Sequence, residues 1–141
     1  MKTLLVFLAF SFSISLASAQ QKDTITTPSG LKYVCTKKGD GENPQKGQKI
    51  KVYYTGKFLN GTAFESNRGD KPFKFTLGKR EVIPGWDEGF LLMSKGEKGV
   101  LIIPSHLAYG KRGVKNPYND QIYDIPPNTD LIFEVEVVSF K

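Results

Sequence analysis

The sequence predicts an α+β domain in which an antiparallel, twisted sheet carries one short α-helix on its concave side. Three observations predict it. Strand-like segments with period-2 alternation recur along the chain, separated by connections rich in glycine, proline and asparagine. One segment, opened by Pro84-Gly85, instead repeats its apolar residues at intervals of three to four. The 141 residues, 39% hydrophobic and 24% charged, suit one core and leave no room for a second of any size.

The chain opens with "MKTLLVFLAFSFSISLASAQ". Lys2 is followed by an apolar run, 4–16, interrupted by serines, and then by Ala17-Ser18-Ala19, the pattern of a secretory signal peptide over 1–19 with cleavage near Ala19. The run is too short and too serine-rich for a spanning helix, which needs roughly 18 apolar residues, so no stable membrane insertion is expected. The closing "EVVSFK" has no retrieval signal of the K-D-E-L kind. Export to a periplasm or the cell exterior is the expectation. The whole chain holds 20 basic and 14 acidic residues; losing 1–19 removes Lys2 alone and leaves a net charge of +5. The lysines are scattered among acids without a run of like charge, which argues against a nucleic-acid partner.

Residues 20–30 read as a flexible, polar lead-in closed by Pro28-Ser29-Gly30, and the domain proper spans 31–141. "LKYVCT" predicts a first strand, with Cys35 a small buried hydrophobe. The Gly39-x-Gly41 pair belongs to a turn, being too short for a phosphate-binding fingerprint. In "KIKVYYTGKF", Ile50, Val52 and Tyr54 alternate with Lys49, Lys51 and Tyr53, a half-buried strand. Asn60-Gly61 reverses it into a second short strand over 62–65. Asn60-Gly61-Thr62 also fits a glycosylation sequon and Arg68-Gly69-Asp70 an adhesion tripeptide, but both read as turns.

"KPFKFTLG" predicts a strand with Phe73, Phe75 and Leu77 on one side and lysines on the other. The helix follows, with Trp86, Gly89, Phe90 and Met93 on its apolar face, and ends at Gly96. "EKGVLIIPS" is a nearly continuous apolar run that suits a central strand. Residues 106–129, rich in glycine, proline and asparagine, read as a long functional or mobile loop. "DLIFEVEVVSFK" closes the sheet with Leu131, Phe133, Val135 and Val137 on one face.

Hydrolytic chemistry lacks parts. There is one histidine, His106, one cysteine, no G-x-S-x-G elbow and no His/Cys cluster with metal-ligand spacing, so neither a metal nor a cofactor is expected. Aromatic side chains are what the chain has in quantity. Tyr54, Phe64, Phe73, Trp86, Tyr109 and Phe133 fall where each is able to face one side, though each taken alone reads better as core.

"VYYTGKFLNGTAFES", "KPFKFTLGKREVIPGWDEGF", "LAYG" and "IPPNTDLIFEVEV", in this order and at these distances, resemble the FKBP-type peptidyl-prolyl cis-trans isomerases, the macrolide-binding immunophilins. The match covers 31–141. The resemblance implies a half-barrel wrapped around one short helix, with an apolar prolyl pocket between them. Trp86 would be its floor, Tyr54, Phe64, Phe73, Val82, Ile83 and Phe133 its walls, and Ile125 its rim. Tyr109 and the Ile83 backbone N–H would donate to substrate carbonyls. The resemblance makes Tyr54, Glu65 and Tyr109 the catalytic set. Glu65 follows the pocket Phe64 where the family most often has aspartate, and its added methylene would move the carboxylate relative to Tyr54 and lower activity or shift substrate preference. The loop after Tyr109 is longer than in the smallest members.

The implied partners are proline-containing polypeptides and macrolide inhibitors, bound by a monomer. Catalysis would come from a dry site that favours the twisted amide, whose resonance is lost, over the polar planar one. A non-catalytic chaperone or docking module for proline-containing segments is the alternative reading.

Overall fold

The computed structural model describes residues 23–141, so the segment read as a signal peptide, 1–19, lies outside the described residues. Among the described residues there are nine strands: β1 (Thr24–Thr26), β2 (Lys32–Lys37), β3 (Lys49–Phe58), β4 (Ala63–Ser66), β5 (Phe73–Thr76), β6 (Lys98–Ile103), β7 (Val114–Asn116), β8 (Asn119–Ile125) and β9 (Leu131–Phe140). One α-helix, α1 (Pro84–Gly89), runs into a 3₁₀ turn over Phe90–Leu92. The main sheet has the order β1-β2-β6-β9-β3-β4, with β5 also on β3, and every pairing in it is antiparallel. The expected α+β class and sheet-plus-helix architecture are found.

Alternation does the building. On β3, Ile50, Val52 and Tyr54 turn inward, and on β9 Leu131, Phe133, Val135 and Val137 do the same, all nine-tenths or more buried. Cross-strand register places Tyr54 opposite Val135 and Gly56 opposite Phe133, so both strands present their apolar residues to one interior. Pro84 starts α1 at the position where a missing N–H costs nothing. The helix then buries Gly85, Trp86 and Gly89. A Cβ on Gly89 would lie 2.6 Å from Leu101 Cδ2, so glycine is what lets α1 settle onto β6. The Asn60-Gly61 reversal is made as predicted, with Phe58 N–H on the Thr62 carbonyl at 2.9 Å and Gly61 at φ 88°. Arg68-Gly69-Asp70 is likewise a turn, closed by Asp70 N–H on the Asn67 carbonyl at 3.1 Å.

Three expectations are corrected. The supposed flexible lead-in, 20–30, contains β1, with Thr24, Ile25 and Thr26 opposite Val34, Tyr33 and Lys32. Its pairing is made by backbone groups on the free edge of β2, and its exposed side chains carry no burial pattern to read. The long segment 106–129 is no structureless loop, since β7 and β8 form a separate two-stranded sheet in it. All of β8 except Ile125 is exposed, so neither face shows the alternation that marks a half-buried strand. Cys35 is half-buried beside Tyr33 and Glu97 rather than fully enclosed. Among the described residues no helix is long and apolar enough to cross a membrane.

Candidate functional site

Between α1 and the inward face of the sheet lies a pocket of about 190 Å³, more than ten times the ~10–15 Å³ that one water requires. It is lined by Tyr54, Glu65, Phe73, Val82, Ile83, Trp86, Tyr109 and Phe133. Sequence reasoning named all of them. They come from β3, β4, β5, the stretch entering α1, α1 itself, the segment after β6 and β9, so only the closed fold assembles them.

Trp86 is 5% exposed and sits at the centre of an edge-to-face cluster. Its ring centroid lies 4.9 Å from Tyr54 and 5.3 Å from both Phe133 and Phe90, with interplanar angles of 75° to 85°. Phe73, 6.0 Å from Trp86 and 40% exposed, stands at the mouth. The indole Nε1 is buried and has no hydrogen-bond partner among the described residues. The indole therefore acts here as an apolar surface.

Glu65 is the one carboxylate in the lining, and it is tied down: Tyr54 donates its hydroxyl to Glu65 Oε1 at 2.8 Å. The extra methylene relative to aspartate is accommodated without losing this bond. Burial, and then the Glu65 carboxylate, hold the Tyr54 phenol well above its ordinary pKa. Burial and Glu65 also raise that of Tyr109. Both hydroxyls are thus neutral donors. Tyr54 is committed to Glu65, whereas the Tyr109 hydroxyl has no protein partner among the described residues.

Phe64 and Ile125 depart from expectation. In the β3/β4 ladder Gly56 faces Glu65 and Lys57 faces Ala63, which leaves Phe64 as the extra residue of a bulge and gives the pocket side to Glu65. The Phe64 ring packs over Gly56, where a Cβ would lie 2.6 Å from Phe64 Cζ, and meets Phe133 edge-on at 5.9 Å. It braces a wall from behind. Ile125, 5% exposed, ends β8 and turns into the core, where it anchors the β7/β8 hairpin instead of forming a rim.

Sequence reasoning missed the braces. Asn67 accepts Tyr54 N–H at 2.8 Å and donates to the Val52 carbonyl at 3.1 Å, locking the strand that carries Tyr54. Asp87 accepts the Gly78 and Arg80 N–H groups at 2.8 and 3.1 Å, fixing the turn ahead of Val82 and Ile83. Asn67 lies in a turn and Asp87 in the first turn of a helix, positions whose side chains commonly bond nearby backbone.

The site offers a ring-sized hollow with aromatic walls and an unpaired hydroxyl at its mouth. The groups that drive hydrolysis lie elsewhere. His106 is bonded through Nε2 to the Ser29 carbonyl at 2.8 Å. Burial, then its contact with Glu97, pushes the Cys35 thiol up, away from the reactive thiolate. Among the described residues no three His, Cys, Asp or Glu side chains are grouped to hold a metal.

Known proteins resemble this chain in sequence and in fold. Residues 40–138 match the family described as FKBP-type peptidyl-prolyl cis-trans isomerase. A peptidyl-prolyl cis-trans isomerase, Fkbp12, of Drosophila melanogaster is 46% identical over 114 residues, which are 79% of this chain and 99% of the relative. FK506-binding protein 4 of Dictyostelium discoideum is 46% identical over 82% of this chain, but the chain spans only 29% of that relative's length. FK506-binding protein 4 of Rhizopus delemar is likewise matched over 28% of its length. Among solved structures, AtFKBP13 superposes with a TM-score of 0.77 at 40% identity, over 84% of this chain and 99% of its own. FkpA from Escherichia coli gives 0.72 at 38% identity, over 87% of this chain and 54% of its own. In sequence and in fold, this chain belongs to the FKBP-type peptidyl-prolyl cis-trans isomerase family.

Proposed function

We propose that this protein accelerates rotation about X-Pro peptide bonds by seating the prolyl ring against Trp86. The observation that carries the reading is the pocket itself: ring-sized, floored by an indole without a polar partner, and edged by a free hydroxyl. A planar prolyl amide resists rotation by roughly 18 to 20 kcal/mol because resonance gives its C–N bond double-bond character. Twisting the bond abolishes that resonance and reduces the dipole. Water favours the polar planar form, so aromatic walls that exclude water raise the planar amide relative to the twisted one.

Each residue then has a task. Trp86, Phe73, Val82, Ile83 and Phe133 hold the ring and keep solvent out. Tyr109 donates its hydroxyl to a substrate carbonyl and the Ile83 N–H donates to a second, so that one side of the bond is held while the other turns. Tyr54 keeps the Glu65 charge bonded and away from the ring. No bond is broken, and no nucleophile or cofactor enters the step. The substrates in this reading are proline-containing polypeptides, and macrolides would compete for the same hollow.

The N-terminal signal pattern supports the further reading that the clients are exported proteins, met in a periplasm or outside the cell. Uncatalysed isomerisation takes tens to hundreds of seconds, slow enough to delay their folding. Mass measurement of the protein recovered from that compartment is expected to show a chain lacking 1–19; an intact N-terminus there overturns the placement.

Magnetisation-exchange NMR on a short X-Pro peptide tests the activity. Accelerated cis/trans exchange is expected, lost when a pocket ligand is added. Shift perturbation without faster exchange would identify the protein as a non-catalytic chaperone or docking module.

A further inference from the structure

Val82 stands in the wall of the prolyl pocket. That residue also lines an open groove of about 870 Å³ along the outer flank of α1, shared with Lys46, Arg80, Asp87, Glu88 and Leu91. A volume of this order accommodates several residues of an extended chain. A polypeptide seated on Trp86 must leave the pocket in both chain directions, and one that crosses Val82 would reach this groove.

Its charges are not equivalent. Both Asp87 oxygens are turned to backbone donors, the Gly78 and Arg80 N–H groups, and the two Glu88 oxygens share the one proton of the Ser29 hydroxyl, at 2.8 and 2.7 Å. The nearby Glu81 carboxylate accepts Thr76 N–H at 2.8 Å. Lys46 and Arg80 form no ion pair among the described residues. The Lys46 stem and the Arg80 backbone are nonetheless held in position. The Lys46 stem lies against Gly78, where a Cβ would sit 2.9 Å from its Cγ. Arg80 occupies the left-handed region at φ 59°, which residues other than glycine rarely adopt, and the Asp87 clamp maintains it there. Such strained residues cluster at ligand clamps.

We infer that this groove extends the substrate site and selects for an acidic residue in the client polypeptide. Arg80 is the specificity-determining cation and Lys46 reinforces it. Arg80 and Val82 line the same groove, so the acid is sought two or three residues from the proline, on the side that crosses Val82. The inference rests on the pocket being the prolyl site. An exposed charge pair of this kind changes kcat/KM by about two- to fivefold, and its opposite sign repels lysine, so the Glu-to-Lys ratio exceeds either effect alone.

The test uses exchange NMR on X-Pro peptides carrying Glu or Lys at the second or third residue, before the proline in one series and after it in the other, beside an alanine-flanked peptide. The readout is the ratio of kcat/KM for Glu over Lys. The unmodified protein is expected to show a ratio of about five or more in one series, falling toward one in raised salt. Arg80→Asn, a residue that tolerates the left-handed turn, is expected to reduce that ratio, and adding Lys46→Glu to invert it. A ratio of one in both series, with the alanine-flanked peptide still turned over, overturns the groove and leaves the prolyl pocket standing. A preference that survives both substitutions also overturns it. No turnover of the alanine-flanked peptide defeats the pocket reading itself.

Discussion

Replacing Trp86 by phenylalanine separates the tryptophan's service to the core from its service to the substrate. The change removes about three heavy atoms, two of them carbons. At ~0.8 kcal/mol per buried carbon, and with part of the cavity unfilled, stability should fall by about 1.5 to 3 kcal/mol. Against this, the substitution deletes a buried N–H with no partner among the described residues, and relieving such a group returns about 1 to 3 kcal/mol. The two effects nearly cancel. The urea midpoint of Trp86→Phe should therefore lie close to that of the parent, with a net change of about 1 kcal/mol or less. Activity has no such compensation, because a lowered floor leaves the prolyl ring without its closest contact and admits water. One missing methylene's worth of pocket contact is worth about 1 to 3 kcal/mol, so kcat/KM measured by exchange NMR on an X-Pro peptide should fall about tenfold or more. A folded variant with undiminished turnover would refute the indole as the floor. A loss of stability well above 3 kcal/mol would show that Nε1 has a partner after all.

Tyr109→Phe should leave the midpoint unchanged and lower kcat/KM about two- to tenfold, the worth of one neutral hydrogen bond; an unchanged rate would remove the hydroxyl from the mechanism. Burial and Glu65 hold the Tyr109 phenol above its ordinary value of about 10, so the donor stays protonated and turnover should be flat from about pH 6 to 9, which a pH–rate profile checks. Burial pushes Glu97 up, but donors from Ser94, Tyr33 and Cys35 outweigh it and leave its pKa lowered. Its depressed folded value means that its stabilisation is present above the unfolded pKa of about 4.3 and is lost as pH falls through the folded one. Glu97→Gln should cost about 1.5 to 3 kcal/mol near neutrality, a gap to the parent that narrows below about pH 4 in urea titrations. Gly56→Ala would place a methyl 2.6 Å from Phe64 and 2.9 Å from Phe133; a loss of about 1 to 3 kcal/mol in the same titrations is expected, together with reduced turnover as the Phe133 wall shifts.

What could be read in advance follows from how each feature is recorded. Ile50, Val52 and Tyr54 on β3 and Leu131 to Val137 on β9 alternate because one face meets the core, and that burial writes itself into the residue order. β1 and β8 are held by backbone pairing with exposed side chains, so selection of residue type left no periodic trace. The pocket was a harder case. Its aromatic residues, taken singly, read better as core until the resemblance distinguished them, since a ring in a pocket wall and a ring in a core obey the same burial preference. Phe64 illustrates the residual ambiguity. A single bulge in β4 sends it behind Phe133 and gives the pocket side to Glu65, and a one-residue irregularity of that kind has no signature in the order of residues.

The same ambiguity has a mechanical meaning. Tyr54, Trp86 and Phe133 belong both to the buried core and to the pocket lining, so the site is a place where the core is left incomplete. Interiors are packed near crystal density, and an unfilled hollow forfeits contacts that its walls would otherwise make. A prolyl ring restores them. Binding and folding then draw on the same contacts, and a ligand that fills the hollow stabilises the native state by mass action in proportion to its occupancy. The rings must also stay rigid while the hollow is empty, or they would collapse into it. The bulged Phe64 behind Phe133, the Asn67 lock on β3 and the Asp87 clamp ahead of Val82 each oppose that collapse from outside the pocket. Weakening such a brace should therefore reduce turnover more than it reduces the binding of a large, rigid pocket ligand, because the larger ligand holds the walls apart while a single prolyl ring relies on the protein to do so.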